Sequence, residues 1–147
     1  MFDVRCAMRG GGGGSRIDAM RAFDRWRALS RDAQLLTMQS AVVIGAAVVA
    51  IRVFGVERTL RIASRPVQGR AKTVIGELVT AIERAGRYVP GGTCLPKSVA
   101  LAWMLRGMGV PATIRIGVKT AGGFEAHAWV ECNGVAVENI PPGYAPI

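Results

Sequence analysis

An α+β domain is the fold class this sequence predicts, with helices first and an antiparallel meander last. Two observations carry the prediction. Apolar residues recur at helical spacing through residues 16–90, and the period changes to strict alternation in Thr113–Lys119, where Ile114, Ile116 and Val118 alternate with Thr113, Arg115 and Gly117. At 147 residues the chain is one domain's worth, long enough to bury a core and too short for two ordinary domains.

The opening residues 1–15 contain the run Gly10–Gly14 and no apolar stretch, so they read as a flexible tail and not as a secretory signal. Ser15 is placed to cap a first helix, and Ser30 a second, with Asp32 in the favourable first turn. Ala33 to Ile51 carries no charge, which approaches the length of a membrane span. Gln34, Thr37, Gln39 and Ser40 occupy its first half, so a buried helix is the expectation and membrane association the alternative. The helical pattern resumes through Val53–Ser64, is interrupted at Pro66 and Gly69, and restarts after Thr73. There Ile75, Leu78, Val79 and Ile82 fall at i, i+3, i+4 and i+7 on one face, and the helix should stop near Gly86.

Residues 91–147 are expected to form the core that completes one domain with the helical region 16–90. Gly91 and Gly92 supply turn residues just before Cys94, and a further helix runs from Cys94 to about Met108, stopped by Gly109 and Pro111. After the strand at Thr113–Lys119, Ala121–Gly123 turns the chain. Phe124–Glu131 reads as the next strand and Val135–Asn139 as a third; Pro141–Ile147, with three prolines and a glycine, reads as irregular.

Composition narrows the chemistry. Lys and Arg outnumber Asp and Glu by 19 to 10, which predicts an anionic partner, yet aromatic residues are only 6%, sparse for the base stacking that single-strand binders use. Nucleic acid is therefore not the expected partner. Cys6, Cys94 and Cys132 show no paired spacing for zinc or a redox couple, which fits a reducing cytoplasm, and no phosphate loop, dinucleotide fingerprint or metal-ligand cluster is present. No cofactor is expected.

Two residues remain chemically equipped. Cys94 heads a helix, where free N–H groups favour a thiolate and can serve an oxyanion; His127, the sole histidine, sits in a strand. Separately each is more often structural. A cysteine on a helix, a histidine on a strand and an amide or carboxylate on the adjoining strand are together the parts of a thiol acyl-transfer site. The third member depends on the turn at Asn133-Gly134. A two-residue loop sets His127 opposite Ile140 with Glu138 on its face, whereas a three-residue loop sets it opposite Asn139. Both registers are compatible with the sequence.

Cys-Leu-Pro-Lys-Ser opening a helix, Gly-Val-Pro-Ala leading into a strand that ends Ile-Gly-Val, and then Gly-Phe-Glu-Ala-His-Ala-Trp-Val-Glu resemble the transglutaminase-like leader peptidases of lasso-peptide biosynthesis. The resemblance is strong from Cys94 to Asn139 and only general in character over Arg25–Ser64. It implies a transglutaminase/papain-like core that cuts a ribosomally made precursor peptide between leader and core, ahead of ring closure by a separate ATP-dependent cyclase. It implies Cys94 as nucleophile and His127 as base. The family's third member is usually an aspartate; the matching position here is Asn139, a departure that leaves a Cys-His-Asn set of the papain type. The upstream helices lack room for a complete leader-recognition domain, so the resemblance implies a stand-alone protease relying on a separately encoded recognition protein. Acyl transfer to an amine on the same residues, and a non-catalytic membrane-associated scaffold, are the competing readings.

Overall fold

The computed structural model describes residues 16–63, 75–120 and 124–146. The tail, Cys6, the interruption at Pro66 and Gly69, and the turn at 121–123 lie outside the described residues. Four helices come first: α1 (Arg16–Arg27), α2 (Arg31–Ala63), α3 (Ile75–Gly86) and α4 (Cys94–Gly107). The strands β1 (Thr113–Lys119), β2 (Glu125–Cys132), β3 (Val135–Ala136) and β4 (Ala145–Pro146) follow, in the sheet order β3-β2-β1-β4.

Ser30 caps α2 as its sequence suggests, its hydroxyl accepting the Ala33 N–H at 3.2 Å. The helix then runs through the uncharged segment and continues to Ala63 across a kink at Gly55, whose φ of 79° no other residue type adopts cheaply. One face of α2 is core, with Ser40, Ile44 and Ala47 buried against α3 and α4. The opposite face exposes Leu35, Met38, Val42, Val49 and Val53. By length and composition α2 is the kind of helix that can cross a membrane, although part of it is packed inside the domain. The buried-helix expectation thus describes only its inner face.

The amphipathic stripe of α3 is realised, with Leu78, Ala81, Ile82 and Ala85 buried. Helix α4 is the centre of the core: Val99, Ala100, Leu101, Ala102 and Leu105 are all fully buried. It ends in a Schellman motif, in which Val110 N–H bonds Leu105 C=O at 2.9 Å and Gly109 N–H bonds Arg106 C=O at 2.8 Å, with Gly109 at φ 78°. Arg106 donates through Nε to the Ala112 carbonyl at 2.9 Å, tying the helix end to the start of β1.

The β1–β2 pair is antiparallel over its whole length, with Gly117 opposite His127 and Arg115 opposite Trp129. The β2–β3 turn takes the two-residue form: Asn133 and Gly134 both have positive φ, Cys132 pairs with Val135, and Glu131 pairs with Ala136. Cys132 is therefore the last residue of β2 and is buried in the core. The third strand is shorter than its sequence pattern predicts, because the chain bends away after Ala136. The expectation that regular structure ends at Pro141 is corrected: Ala145 and Pro146 pair with Val118 and Gly117 at the other edge of the sheet. Pro146 supplies no N–H, which an edge position tolerates.

Close backbone approach joins α3, the following turn and α4. A Cβ on Gly92 would lie 2.8 Å from the Gly86 carbonyl oxygen and 3.0 Å from that of Val89. Gly92→Ala is expected to destabilise the fold by about 1–3 kcal/mol, because both obstacles are backbone and neither can yield cheaply. Gly45→Ala, in α2 with nothing within 4 Å of the new methyl, should be neutral or stabilising by up to about 1 kcal/mol. Urea denaturation of the two variants beside the parent measures both.

Candidate active site

Cys94 is the first residue of α4, preceded by the extended Thr93 (φ −74°, ψ −177°), whose side chain makes no capping hydrogen bond. The turn that delivers it is built from Gly91 (φ 79°) and Gly92, with Gly92 N–H bonded to the Val89 carbonyl at 2.9 Å and Thr93 N–H to that of Gly91 at 2.8 Å. Pro96 occupies a first-turn position, where a missing N–H costs no intrahelical bond. The first helical bond closes from Lys97 N–H to the Thr93 carbonyl at 3.2 Å. The N-terminal end of α4 thus carries a half-buried thiol, no acidic residue and no side-chain cap, a setting of partial positive charge.

His127 reaches the same place from β2. It lies between two aromatic rings, stacked on Trp129 at 6.4 Å between centroids and 19° between planes, and tilted against Tyr144 at 5.3 Å. Trp129 can lie flat across the sheet because Gly117 has no Cβ: one there would sit 2.7 Å from the indole and 2.9 Å from the Ala145 carbonyl. The indole N–H donates to Glu131 at 3.1 Å, and Glu131 also accepts from Arg115 at 3.1 Å. Tyr144 donates its hydroxyl proton to Glu125 at 3.0 Å. Burial, with a smaller effect from Lys97, holds the His127 imidazole below its ordinary value, and Glu83 opposes the shift. The neutral ring that results is the form that accepts a proton from a thiol.

A cavity of about 360 Å³ brings the elements together, lined by Cys94 and Lys97 of α4, Val79 and Glu83 of α3, His127 and Ala128 of β2, and Glu138 and Asn139 beyond β3. All three residues singled out from the sequence, and the alternative Glu138, therefore face one space. The turn takes the two-residue form, so the three-residue register that would set Asn139 directly opposite His127 is not the one formed. Pairing continues in the two-residue register as far as the Val137 N–H bond to the Val130 carbonyl at 3.0 Å, and the ladder ends before Glu138 and Asn139.

Their surroundings differ. Glu138 accepts the Val130 N–H through its carboxylate at 2.9 Å, occupying a strand donor that the shortened β3 leaves unpaired by backbone. Its carboxyl is pushed up to about 7, chiefly by burial, while the bond from Val130 N–H pulls the other way. The buried Ser98 hydroxyl lies in its electrostatic surroundings without meeting hydrogen-bond geometry. Asn139 is exposed at the cavity rim, and no hydrogen bond joins it to His127.

Sequence reasoning missed Lys97, Glu83 and Tyr144. Lys97 Nζ bonds both oxygens of Glu83, at 2.7 and 2.9 Å, inside the cavity lining. Its position three residues after Cys94, one helical turn along, was the available signal. Cys132, buried and with its thiol pushed upward by burial, is not equipped as a nucleophile. Among the described residues no group of His, Cys, Asp and Glu has the makings of a metal site.

Glu138 makes a pH prediction with a definite sign. A carboxyl raised from 4.5 to about 7 binds more protons folded than unfolded across that window, so its contribution falls as pH rises through it. The upper limit of the effect is on the order of 3 kcal/mol, at about 1.4 kcal/mol for each pH unit that separates the folded value from the unfolded one. Glu138→Gln should therefore gain stability relative to the parent between about pH 5 and pH 8, measured as the difference in urea midpoints. His127, shifted the opposite way, is common to both proteins and cancels from the comparison.

A profile of the transglutaminase-like superfamily matches residues 41–146, which spans α2 from Ala41 onward, α3, α4 and the whole sheet. No curated protein and no solved structure matches the chain. A cysteine at the start of a buried helix, a histidine on the adjoining antiparallel sheet and the extent of that match lead to one conclusion: the chain belongs to the transglutaminase-like superfamily.

Proposed function

We propose that this protein is a cytosolic cysteine endopeptidase that removes the leader from a ribosomally made lasso-peptide precursor, before a separate ATP-dependent cyclase closes the ring. The observation that carries the reading is the shared cavity, in which a helix-terminal thiol and a strand imidazole face one space open to a peptide. The motif resemblance from Cys94 to Asn139 supports the precursor as substrate. A separately encoded recognition protein would present it.

In the proposed mechanism His127 takes the thiol proton as the Cys94 sulfur attacks the scissile carbonyl carbon. N–H groups at the start of α4 stabilise the oxyanion. The imidazolium gives its proton to the departing amine, and the carbon–nitrogen bond breaks to leave a thioester on Cys94. Water, deprotonated by His127, then attacks the thioester; the carboxylate leaves and the thiol is restored. Asn139 is assigned as the residue that orients His127 when peptide is bound. Its amide makes no hydrogen bond among the described residues, whereas the Glu138 carboxylate already holds Val130 N–H.

The test uses a precursor peptide encoded beside this chain, with its recognition protein, and mass spectrometry of the products. Cys94→Ala should abolish cleavage while the fold is retained; cleavage at the parent rate would sink the assignment. A free carboxylate at the cut marks hydrolysis, and an amide at that position would establish acyl transfer instead. Asn139→Ala should slow cleavage by about tenfold or more, the scale of losing an orienting hydrogen bond to a catalytic base. Unchanged cleavage in Asn139→Ala with loss in Glu138→Gln, both folded by circular dichroism, would transfer the orienting role to Glu138.

A further inference from the structure

A second concavity, of about 720 Å³, lies between α1 and the end of α3 and has no part in the chemistry at Cys94. Its apolar surface comes from Phe23 and Trp26 of α1 and from Tyr88, with Phe23 59% and Tyr88 67% exposed. Arg25, Arg84 and Arg87 also line it, and among the described residues no acidic one does. Both walls are anchored to α2. Gln34 donates to the carbonyls of Trp26 at 2.9 Å and Leu29 at 3.4 Å, while Arg84 donates to the Thr37 hydroxyl at 3.2 Å.

Exposed aromatic rings among like-charged guanidinium groups leave both hydrophobic and electrostatic free energy to be gained by a ligand. The volume is that of a site for several side chains, within the usual range of about 300–1,000 Å³. We propose that this groove docks an acidic peptide segment carrying apolar side chains, its carboxylates on the arginines and an apolar side chain between Phe23, Trp26 and Tyr88. This extends the peptidase reading of the Cys94 site and rests on it. Tyr88 stands six residues before Cys94, so the groove edge lies within about 22 Å of the nucleophile's Cα at about 3.6 Å per residue. A substrate held there keeps its scissile bond within reach of Cys94 through a short extended stretch. The peptide, and not nucleic acid, is the occupant favoured by Ala22 and Leu29, which add aliphatic surface beside the rings and suit an apolar side chain.

Fluorescence anisotropy on the Cys94→Ala chain tests the groove apart from catalysis. The probes are a fluorescein-labelled peptide of alternating Glu and Leu, the same peptide with Lys for Glu, and labelled oligothymidine. The Glu peptide should bind, the Lys peptide should not, and oligothymidine should bind more weakly than the Glu peptide. Combined Arg25→Glu and Arg87→Glu substitution should weaken the Glu peptide by about tenfold or more, as loss of paired charges does. Phe23→Ala, which leaves the charges in place, should also weaken it; circular dichroism checks that both variants fold. Equal binding of Glu and Lys peptides, tighter binding of oligothymidine, or undiminished binding in the charge-reversed variant overturns the proposal. Precursor cleavage by the parent chain with no Glu-peptide binding removes the groove alone. Binding without cleavage retains the groove and removes the peptidase reading.

Discussion

The position of Cys94 depends on how closely the start of α4 is held against the end of α3. Gly92 packs so near the Gly86 carbonyl that a single added methyl would lie 2.8 Å from it, and the aliphatic part of Lys97 crosses Gly86 at a distance that only glycine permits. The Lys97–Glu83 ion pair closes the same contact from the side-chain end. Fully buried residues of α4 then fix the helix axis in the core, so its first turn has little freedom to drift from β2. A nucleophile on such an element is positioned by packing instead of by a loop.

The sheet meets this fixed point with an equally constrained histidine. Gly117 lets Trp129 lie across β1, and Trp129 and Tyr144 bracket the His127 ring. Tyr144 is held by Glu125, and Trp129 by Glu131, so two carboxylates act on the ring's neighbours and not on the ring itself. The charged groups that do influence His127, Lys97 and Glu83, come from α4 and α3. They belong to the contact that positions Cys94. Burial remains the larger influence on the imidazole, and the two charges of the pair act on it in opposite directions.

Much of this was legible in local sequence. Ser30 before the uncharged helix, the i, i+3, i+4, i+7 stripe from Ile75, the alternation at Thr113–Lys119 and the Gly91-Gly92 turn are signals within a few residues of the structures they specify. Cys94 and His127 stood out because a helix terminus and a strand can both be read locally, and they do line one cavity. What escaped depends on distant partners. Ala145-Pro146 has no strand pattern, and its pairing is set by the β1 edge. Tyr144 follows it there. Glu83 looks like any solvated helix charge until Lys97 arrives from the next helix. The Asn133-Gly134 turn was recognisable, but where β3 stops was not, since the Glu138 side chain replaces backbone as the partner of Val130 N–H.

On this reading Cys94 owes its nucleophilicity to the cavity it shares with His127. Labelling with a peptide chloromethyl ketone, followed by peptide-mapping mass spectrometry, isolates that dependence because it needs neither the natural substrate nor a partner protein. The adduct should form on Cys94 ahead of any other cysteine, with none on the core residue Cys132, and labelling of Cys94 should be much slower in folded His127→Ala. Labelling of Cys94 at an unchanged rate without His127, or preferential labelling of another cysteine, would contradict it.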